Sequence, residues 1–566
     1  MSEGPATVIG QYIHASKYRG EGESFRELCN RVANALKDND EHFHTFRDIL
    51  LSMSFLPAGR VQSAIGSTKA ITPFNCYVSG VIADSFVEGP GSIMARATEA
   101  AATMRMGGGI GYDFSTLRPK GELIKSLMSQ ASGPVSFMEI YDAVCRTVLS
   151  AGHRRGAQMG VLRIDHPDVE EFVRAKQNTA RLTGFNISLA VTDEFMRAVE
   201  SGGTFDLRWN GKHYRTLDAR TLWEQIMRGT WDWAEPGVLF IDRINEMNNL
   251  YYCEEIAATN PCSEQPLPPY GACLLGSFNL TKYIRQGKNG FSFNYTQLQK
   301  DIPPVIRAMD NIVDIAKYPL KEQENEAKNK RRMGIGITGL ANAGEVLGYV
   351  YGTAAFIHFE RRVLRTITTG CYLASADLAR EKGAFPFYND RYLRGRFIQT
   401  LPDVVKENIR KFGIRNSHLT SIAPTGTISL CADNVSSGIE PVYSYSYKRI
   451  VQTFEGPKEL KVEDYGVKFF KTRGKKAADC TIEDHLAVLA ESYKHVDSAV
   501  SKTCNVSPKM PWEDFKEIYF EAWRRGCKGC TTFNPGGKRM GILEAPVEED
   551  GGACYIDPVN GLKTCD

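Results

Sequence analysis

Between residues 260 and 267 the chain reads Asn-Pro-Cys-Ser-Glu-Gln-Pro-Leu, which sets an amide (Asn260), a thiol (Cys262) and a carboxylate (Glu264) at alternate positions. In an extended segment, side chains two apart share a face. The spacing therefore predicts a hydrogen-bonding amide, a redox-capable sulfur and a proton acceptor aimed the same way, which is a reaction centre rather than a packing surface. A buried thiol in a proline-rich loop is the plain alternative. Cys273, in Gly271-Ala272-Cys273-Leu274-Leu275-Gly276-Ser277, follows closely enough to occupy an adjacent strand or turn, and alone it reads as core.

Other stretches have chemistry to offer. Ala423-Pro424-Thr425-Gly426-Thr427-Ile428-Ser429 supplies hydroxyls and backbone amides at a helix start, a ready anion cradle that competes with an ordinary Thr-capped turn. Gly334-Ile335-Gly336-Ile337-Thr338-Gly339 matches GxGxxG, with Glu360 beyond it as the acidic residue of a dinucleotide fold. Upstream, however, lies Lys328-Asn329-Lys330-Arg331-Arg332 instead of an apolar strand, so tight strand-to-helix packing is the expectation. Cys527-Lys528-Gly529-Cys530 is a CxxC, and Cys554 and Cys565 flank the turn-prone Asp557-Pro558-Val559-Asn560-Gly561. Structural zinc usually asks for two tight knuckles, and ten residues separate Cys554 from Cys565, so a mobile dithiol fits this pair better.

Something must hold these groups. The 566 residues are 42% hydrophobic and 24% charged, which suits a globular protein and disfavours disordered or fibrous classes. Lys+Arg 69 against Asp+Glu 66 leaves a net charge of +3, no footprint for a nucleic-acid polymer or an anionic membrane. Fourteen cysteines are too dilute for a disulfide scaffold and point to a reducing cytoplasm, an expectation shared by a sequence with no secretory leader and no apolar membrane span. Ser24 and Glu27 form a capping box before Phe25, Leu28, Val32 and Leu36 at helical spacing. A buried strand is expected over Cys76–Ile82, a helix through Ile93, Ala97, Ala100 and Met104 up to Gly107-Gly108-Gly109, and another strand over Ile110–Phe114. Phe185, Ile187, Leu189 and Val191 alternate with Asn186, Ser188 and Ala190, the period of a half-buried strand. Strand and helix signals keep alternating, which favours parallel α/β architecture.

Taken with Cys76 in Asn75-Cys76-Tyr77-Val78, the Asn260–Gln265 segment and Cys273 resemble the catalytic set of the ribonucleotide reductases. Phe55-Leu56-Pro57-Ala58-Gly59-Arg60, Gly107-Gly108-Gly109-Ile110-Gly111, Arg155-Gly156-Ala157-Gln158-Met159, Arg331-Arg332-Met333-Gly334-Ile335-Gly336, Pro424-Thr425-Gly426-Thr427 and Ser436-Ser437-Gly438-Ile439-Glu440-Pro441 are similar to family segments and keep their order. The likeness is strongest to class II, the adenosylcobalamin-dependent enzymes. Class I large subunits carry a tyrosine pair where this chain reads Thr531-Thr532-Phe533, and the glycyl-radical segment of class III finds no match in Met540–Asp566.

The resemblance implies a ten-stranded α/β barrel of two parallel five-stranded half-sheets, with Cys262 on a central finger loop. It implies a helical segment over 1–54, the barrel over 55–540 and a flexible tail over 541–566. Cys262 would become the thiyl radical that takes the substrate 3'-hydrogen, Glu264 would accept the 3'-hydroxyl proton and Asn260 would orient the ribose hydroxyls. Cys76 would protonate the departing 2'-hydroxyl and finish in a disulfide with Cys273. Substrate contacts would come from Asn75, Gly109, Ser263, Pro424, Thr425, Gly426, Thr427 and Ile428. A deoxynucleotide effector would meet Asp84, Ser85 and Arg118, with Arg155, Gly156, Ala157 and Gln158 as the specificity loop. Cys554 and Cys565 would shuttle electrons from a thioredoxin- or glutaredoxin-like donor. The substrate would be a ribonucleoside di- or triphosphate, the cofactor adenosylcobalamin without a protein metal site, and the assembly a monomer or homodimer. The family's ATP cone is not expected, because the family-like region starts near residue 50. The competing readings are a class I large subunit that needs a metal-containing partner and a non-catalytic zinc-binding protein.

Overall fold

The structure is a computed structural model that describes residues 3–125, 127–150, 154–155, 157–178, 180–288, 290–453, 456–534, 537–538, 555–556 and 563–564. Three helices come first: α1 (Val8–Tyr18), α2 (Phe25–Leu36) and α3 (Asp40–Leu51). The capping box starts α2 as the sequence predicts, with the Ser24 hydroxyl accepting from Glu27 N and the Glu27 carboxylate accepting from Ser24 N. Leu28, Val32 and Leu36 form the buried stripe of α2 and share one continuous core with the strands that follow.

The strands are β1 (Phe55–Pro57), β2 (Cys76–Val78), β3 (Gly109–Asp113), β4 (Gln158–Arg163), β5 (Phe185–Val191) and β6 (Gly237–Phe240). From β2 to β6 they lie side by side and parallel. A short hairpin, β7 (Ala258–Thr259) with β8 (Pro266–Leu267), comes next. β9 (Ala272–Cys273) pairs antiparallel with β2, while β10 (Leu275–Asn279) pairs antiparallel with β1 and parallel with β11 (Gly334–Thr338). Single parallel bridges join Ile335 to Thr420 and Ile422 to Val500. β12 (Thr503–Asn505) runs parallel to β13 (Gly529–Phe533), and β13 meets β6 antiparallel. This is mixed α/β architecture organised around a large, mostly parallel sheet.

Two expectations are corrected. The strand at Cys76 stops at Val78 instead of Ile82, because Tyr270 and Arg96 close over Gly80 and the chain turns away. β5 is not half-buried: Ser188 is only 4% exposed, and Asn186 alone of its seven residues is open. A parallel strand covered on both faces leaves no wet side. In the GxGxxG stretch Gly334 and Gly336 are strand residues and Gly339, at φ 76°, leads directly into the helix Leu340–Val346, which is the tight strand-to-helix connection expected. A Cβ on Gly336 would lie 2.3 Å from the Ser421 carbonyl, so glycine permits the neighbouring backbone to approach. Glu360 is buried in the helix Ala354–Lys382 and accepts a hydrogen bond from Ser492, which removes it from any ribose. The basic run before β11 is buried too: Lys330 pairs with Glu254 at 2.8 Å and Arg331 with Asp310 at 2.8 Å.

Candidate active site

The β7–β8 hairpin lies across β3. A Cβ on Gly111 would fall 1.9 Å from the Thr259 carbonyl, and one on Gly109 would fall 3.2 Å from both the Cys76 sulfur and the Pro261 ring. Glycine at these positions is what lets the hairpin rest on the sheet. Its tip is a turn, not the extended segment the alternation implied. Ser263 N donates to Asn260 O at 3.0 Å, Gln265 N donates to Asn260 Oδ1 at 2.9 Å, and Ser263 takes a left-handed φ of 66°. Asn260 and Glu264 thereby turn inward and are buried, while Cys262 is exposed at the apex. The residues cluster because the chain turns, so strand periodicity was the wrong reason for grouping them.

The tip is tied on both sides of Cys262. Asn186 Nδ2 on β5 donates to the Pro261 carbonyl at 3.0 Å. Ser421 Oγ at 2.8 Å and Ala499 N at 3.0 Å donate to the Glu264 carbonyl. Sequence reasoning missed Asn186 and Ser421. The one signal available was an amide at a strand position that otherwise reads as alternating core.

Cys76 and Cys273 are direct register partners on antiparallel β2 and β9. Such partners have Cα atoms about 4.5–5.5 Å apart, within the roughly 4.4–6.8 Å that a disulfide spans. Burial pushes the Cys76 thiol up to about 12. Cys273 is also held well above the ordinary thiol range, by burial first and then by Glu264, Cys76 and Cys262 around it. Burial raises Glu264 to about 7. Four buried polar atoms here have no hydrogen-bond partner: Asn75 Oδ1, Asn260 Nδ2, Glu264 Oε2 and Gln265 Nε2. A buried group left unpaired costs about 1–3 kcal/mol, so this concentration marks a surface built for a polar ligand. Protonated thiols, a carboxyl that titrates near neutrality and an exposed thiol beside them can carry out coupled proton and redox chemistry.

The remaining candidates divide. Thr425 has φ 55° and caps the short helix Gly426–Cys431, but its hydroxyl already accepts from Gly438 N at 2.8 Å and bonds Thr338 Oγ1 at 3.1 Å. It braces the Ser436–Pro441 segment, so its side chain is committed within the protein. Arg118 pairs with Asp84 at 2.7 Å, and the neighbouring Ser85 accepts from Glu88 N. Gln158 is buried at the start of β4. It accepts from the Tyr112 hydroxyl at 2.8 Å and donates to Tyr141 O at 3.2 Å, so its side chain is fixed away from the turn. Ala157 is exposed, and Arg155 lies in the short strand Arg154–Arg155; Gly156 falls outside the described residues. Cys554 and Cys565 also fall outside them, although the adjoining Tyr555 and Thr564 are antiparallel partners. Cys527 and Cys530 are buried. Among the described residues no three His, Cys, Asp or Glu side chains come together to hold a metal ion, and no helix is long and apolar enough to cross a membrane.

The hairpin thus presents one exposed thiol, Cys262, near two opposed thiols, Cys273 buried and Cys76 half-buried. Residues 74–465 and 460–533 match the family described as "Ribonucleotide reductase, barrel domain". The chain belongs to the ribonucleotide reductase family. It is 32% identical to a vitamin B12-dependent ribonucleoside-diphosphate reductase of Mycobacterium tuberculosis (strain CDC 1551 / Oshkosh), over 96% of this chain and 81% of that protein. A Thermoplasma acidophilum protein of the same name is 30% identical over 93% of this chain and 69% of its own length. The large subunit of a vaccinia virus ribonucleoside-diphosphate reductase is 26% identical over 67% of this chain and 54% of its own.

Proposed function

We propose that this protein reduces ribonucleotides to 2'-deoxyribonucleotides by thiyl-radical chemistry, with adenosylcobalamin as the radical source. The observation that carries the reading is the convergence of Cys76, Cys262, Cys273 and Glu264 with four unpaired polar atoms around them. The cofactor named by the bacterial and archaeal relatives fits an apex thiol that is exposed; Cys262 and Ser263 are the residues that would meet it. When bound, it supplies through its labile cobalt–carbon bond the radical that starts the reaction at Cys262.

The Cys262 sulfur radical then removes the 3'-hydrogen of the ribose. Glu264 accepts the 3'-hydroxyl proton, and a carboxyl near 7 can both take that proton and return it at neutral pH. Cys76, held as a thiol by its burial, gives its proton to the departing 2'-hydroxyl, which leaves as water. Cys76 and Cys273 supply two electrons and become a disulfide, the hydrogen of Cys273 passing to C2' in place of the departed hydroxyl, and Cys262 hands the hydrogen atom back to C3'. Asn75, Asn260 and Gln265 hold the ribose hydroxyls, and the amides of Gly426–Ile428 hold the phosphates.

Closure of the strands into a ten-stranded barrel is part of this reading. It is supported by pairings that lead from β2 through β6 to β13 and β12, across the bridges at Val500 and Thr420 to β11 and β10, and back through β9 to β2. Two relatives named for diphosphates favour a ribonucleoside diphosphate substrate. Asp84, Ser85 and Arg118 would bind a deoxynucleotide effector, and the Cys554–Cys565 tail would carry electrons from a thioredoxin-like donor in the cytoplasm. The test is to assay purified chain with adenosylcobalamin and dithiothreitol on CDP and CTP in parallel. Deoxynucleotide formation that depends on the cofactor, with no second subunit, is expected; absence of product from both substrates overturns the proposal.

A further inference from the structure

We propose that Asn186 is a positioning residue for Cys262, which rests on the radical role given to that thiol above. β5 is buried along its length except at Asn186, and the side chain at that opening donates to a carbonyl 75 residues away. The acceptor, Pro261 O, belongs to the peptide group that also contains Cys262 N. Fixing that carbonyl fixes the plane from which the Cys262 Cα departs.

The two ends of the finger tip are not held alike. On the far side of Cys262 the Glu264 carbonyl has two donors, Ser421 Oγ and Ala499 N, so losing the hydroxyl leaves a backbone bond in place. On the near side the side chain of Asn186 is the donor to Pro261 O. Only Cys262 and Ser263 lie between these anchors, and Ser263 sits in the left-handed region, where a change in the flanking peptide is readily passed on. Hydrogen-atom transfer to and from a sulfur depends on sub-ångström placement, and a misplacement of about 1 Å costs roughly 100-fold in rate. Asn186 therefore sets the direction of the reactive thiol without reacting itself.

The experiment uses the full-length protein and its Asn186→Ala, Asn186→Asp and Ser421→Ala variants. Deuterium exchange over residues 258–267, measured without cofactor or substrate, should quicken about fivefold in Asn186→Ala, with the thermal midpoint unchanged. In turnover of CDP, kcat should fall about 10- to 100-fold with KM retained. Asn186→Asp should do no better, because a carboxylate cannot donate to Pro261 O, and Ser421→Ala should lose far less than either. Parental exchange and kcat in Asn186→Ala overturns the assignment. So does a raised KM with kcat intact, which would make Asn186 a substrate contact. Should the parental chain reduce neither CDP nor CTP, the proposed function fails by itself, while the exchange comparison still decides whether Asn186 anchors the tip.

Discussion

Two groups of three cysteines occupy this sheet, and they differ in what surrounds the sulfur. Cys76 and Cys273 face each other beneath the finger hairpin with Cys262 at its tip, and Cys504, Cys527 and Cys530 gather on β12 and around the start of β13. Burial raises Cys76, Cys273 and Cys527 alike. In the second group, Cys530 is held protonated first by its hydrogen bond to Cys504 and then by burial. Three hydroxyls beside these sulfurs are satisfied: that of Tyr493 donates to Val500 O at 3.2 Å, and those of Tyr519 and Thr532 bond at 2.9 Å. Beneath the finger, by contrast, four buried polar atoms wait without partners. Raised thiols are therefore a mark of burial, and unfilled hydrogen-bonding capacity beside them is the mark of a site.

The comparison breaks most sharply at the apex. Cys262→Ser is expected to bring deoxynucleotide formation below detection, since a hydroxyl O–H bond is too strong for the same radical exchange. Cys76→Ser or Cys273→Ser should likewise prevent even one productive turnover, as measured by product per enzyme in a quenched single-turnover assay. Parental product from any of the three would make the finger cluster no more special than the other.

Glu264→Gln comes next, with a loss of about 100- to 10,000-fold in kcat. Its pH behaviour is more informative than its size. Burial raises this carboxyl to about 7, so the base form that accepts the 3'-hydroxyl proton is depleted as pH falls through about 7. The parental kcat should decline on that acid limb, and the residual rate of Glu264→Gln should be flat across it. A limb that survives the substitution belongs to another group.

The family motif carries Asn260, Cys262 and Glu264 directly, yet the geometry inferred from spacing was wrong. Strand alternation put three side chains on one face, whereas Ser263 at φ 66° closes a turn that buries two and exposes the third. Cys76 and Cys273 were legible as residues but not as register partners, because a pairing between segments so far apart in the chain is decided by β2 and β9 meeting and leaves no local pattern. Gly109 and Gly111 were legible as a glycine run but not as a floor, since what demands them is the Thr259 carbonyl and the Pro261 ring overhead. The partners of Gln158, Tyr112 and Tyr141, were not legible for the same reason: they come from elsewhere in the chain. Type and order of elements survive in sequence, and contacts between distant segments do not.

Gly111→Ala tests that floor. The added methyl would sit 1.9 Å from the Thr259 carbonyl, too close to persist, so the hairpin must lift. We expect a loss of up to about 100-fold in kcat from displacement of the thiol and a destabilisation of about 1–3 kcal/mol from overpacking, read by denaturant unfolding. A variant that keeps both rate and stability would show that the hairpin does not depend on close contact with β3.

The smallest effect is expected from the second cysteine group. Cys504→Ala, Cys527→Ala and Cys530→Ala each remove a buried sulfur from a packed region where the Tyr493, Tyr519 and Thr532 hydroxyls already have partners, so each should cost about 1 kcal/mol of stability and leave kcat at the parental value. Cys504 is the strictest case, because it shares with Cys530 a hydrogen bond that a methyl cannot make. If Cys504→Ala lowers turnover under thioredoxin-supported conditions while dithiothreitol restores it, that group takes part in electron supply, and unfilled hydrogen-bonding capacity is not a sufficient guide to which buried thiols react.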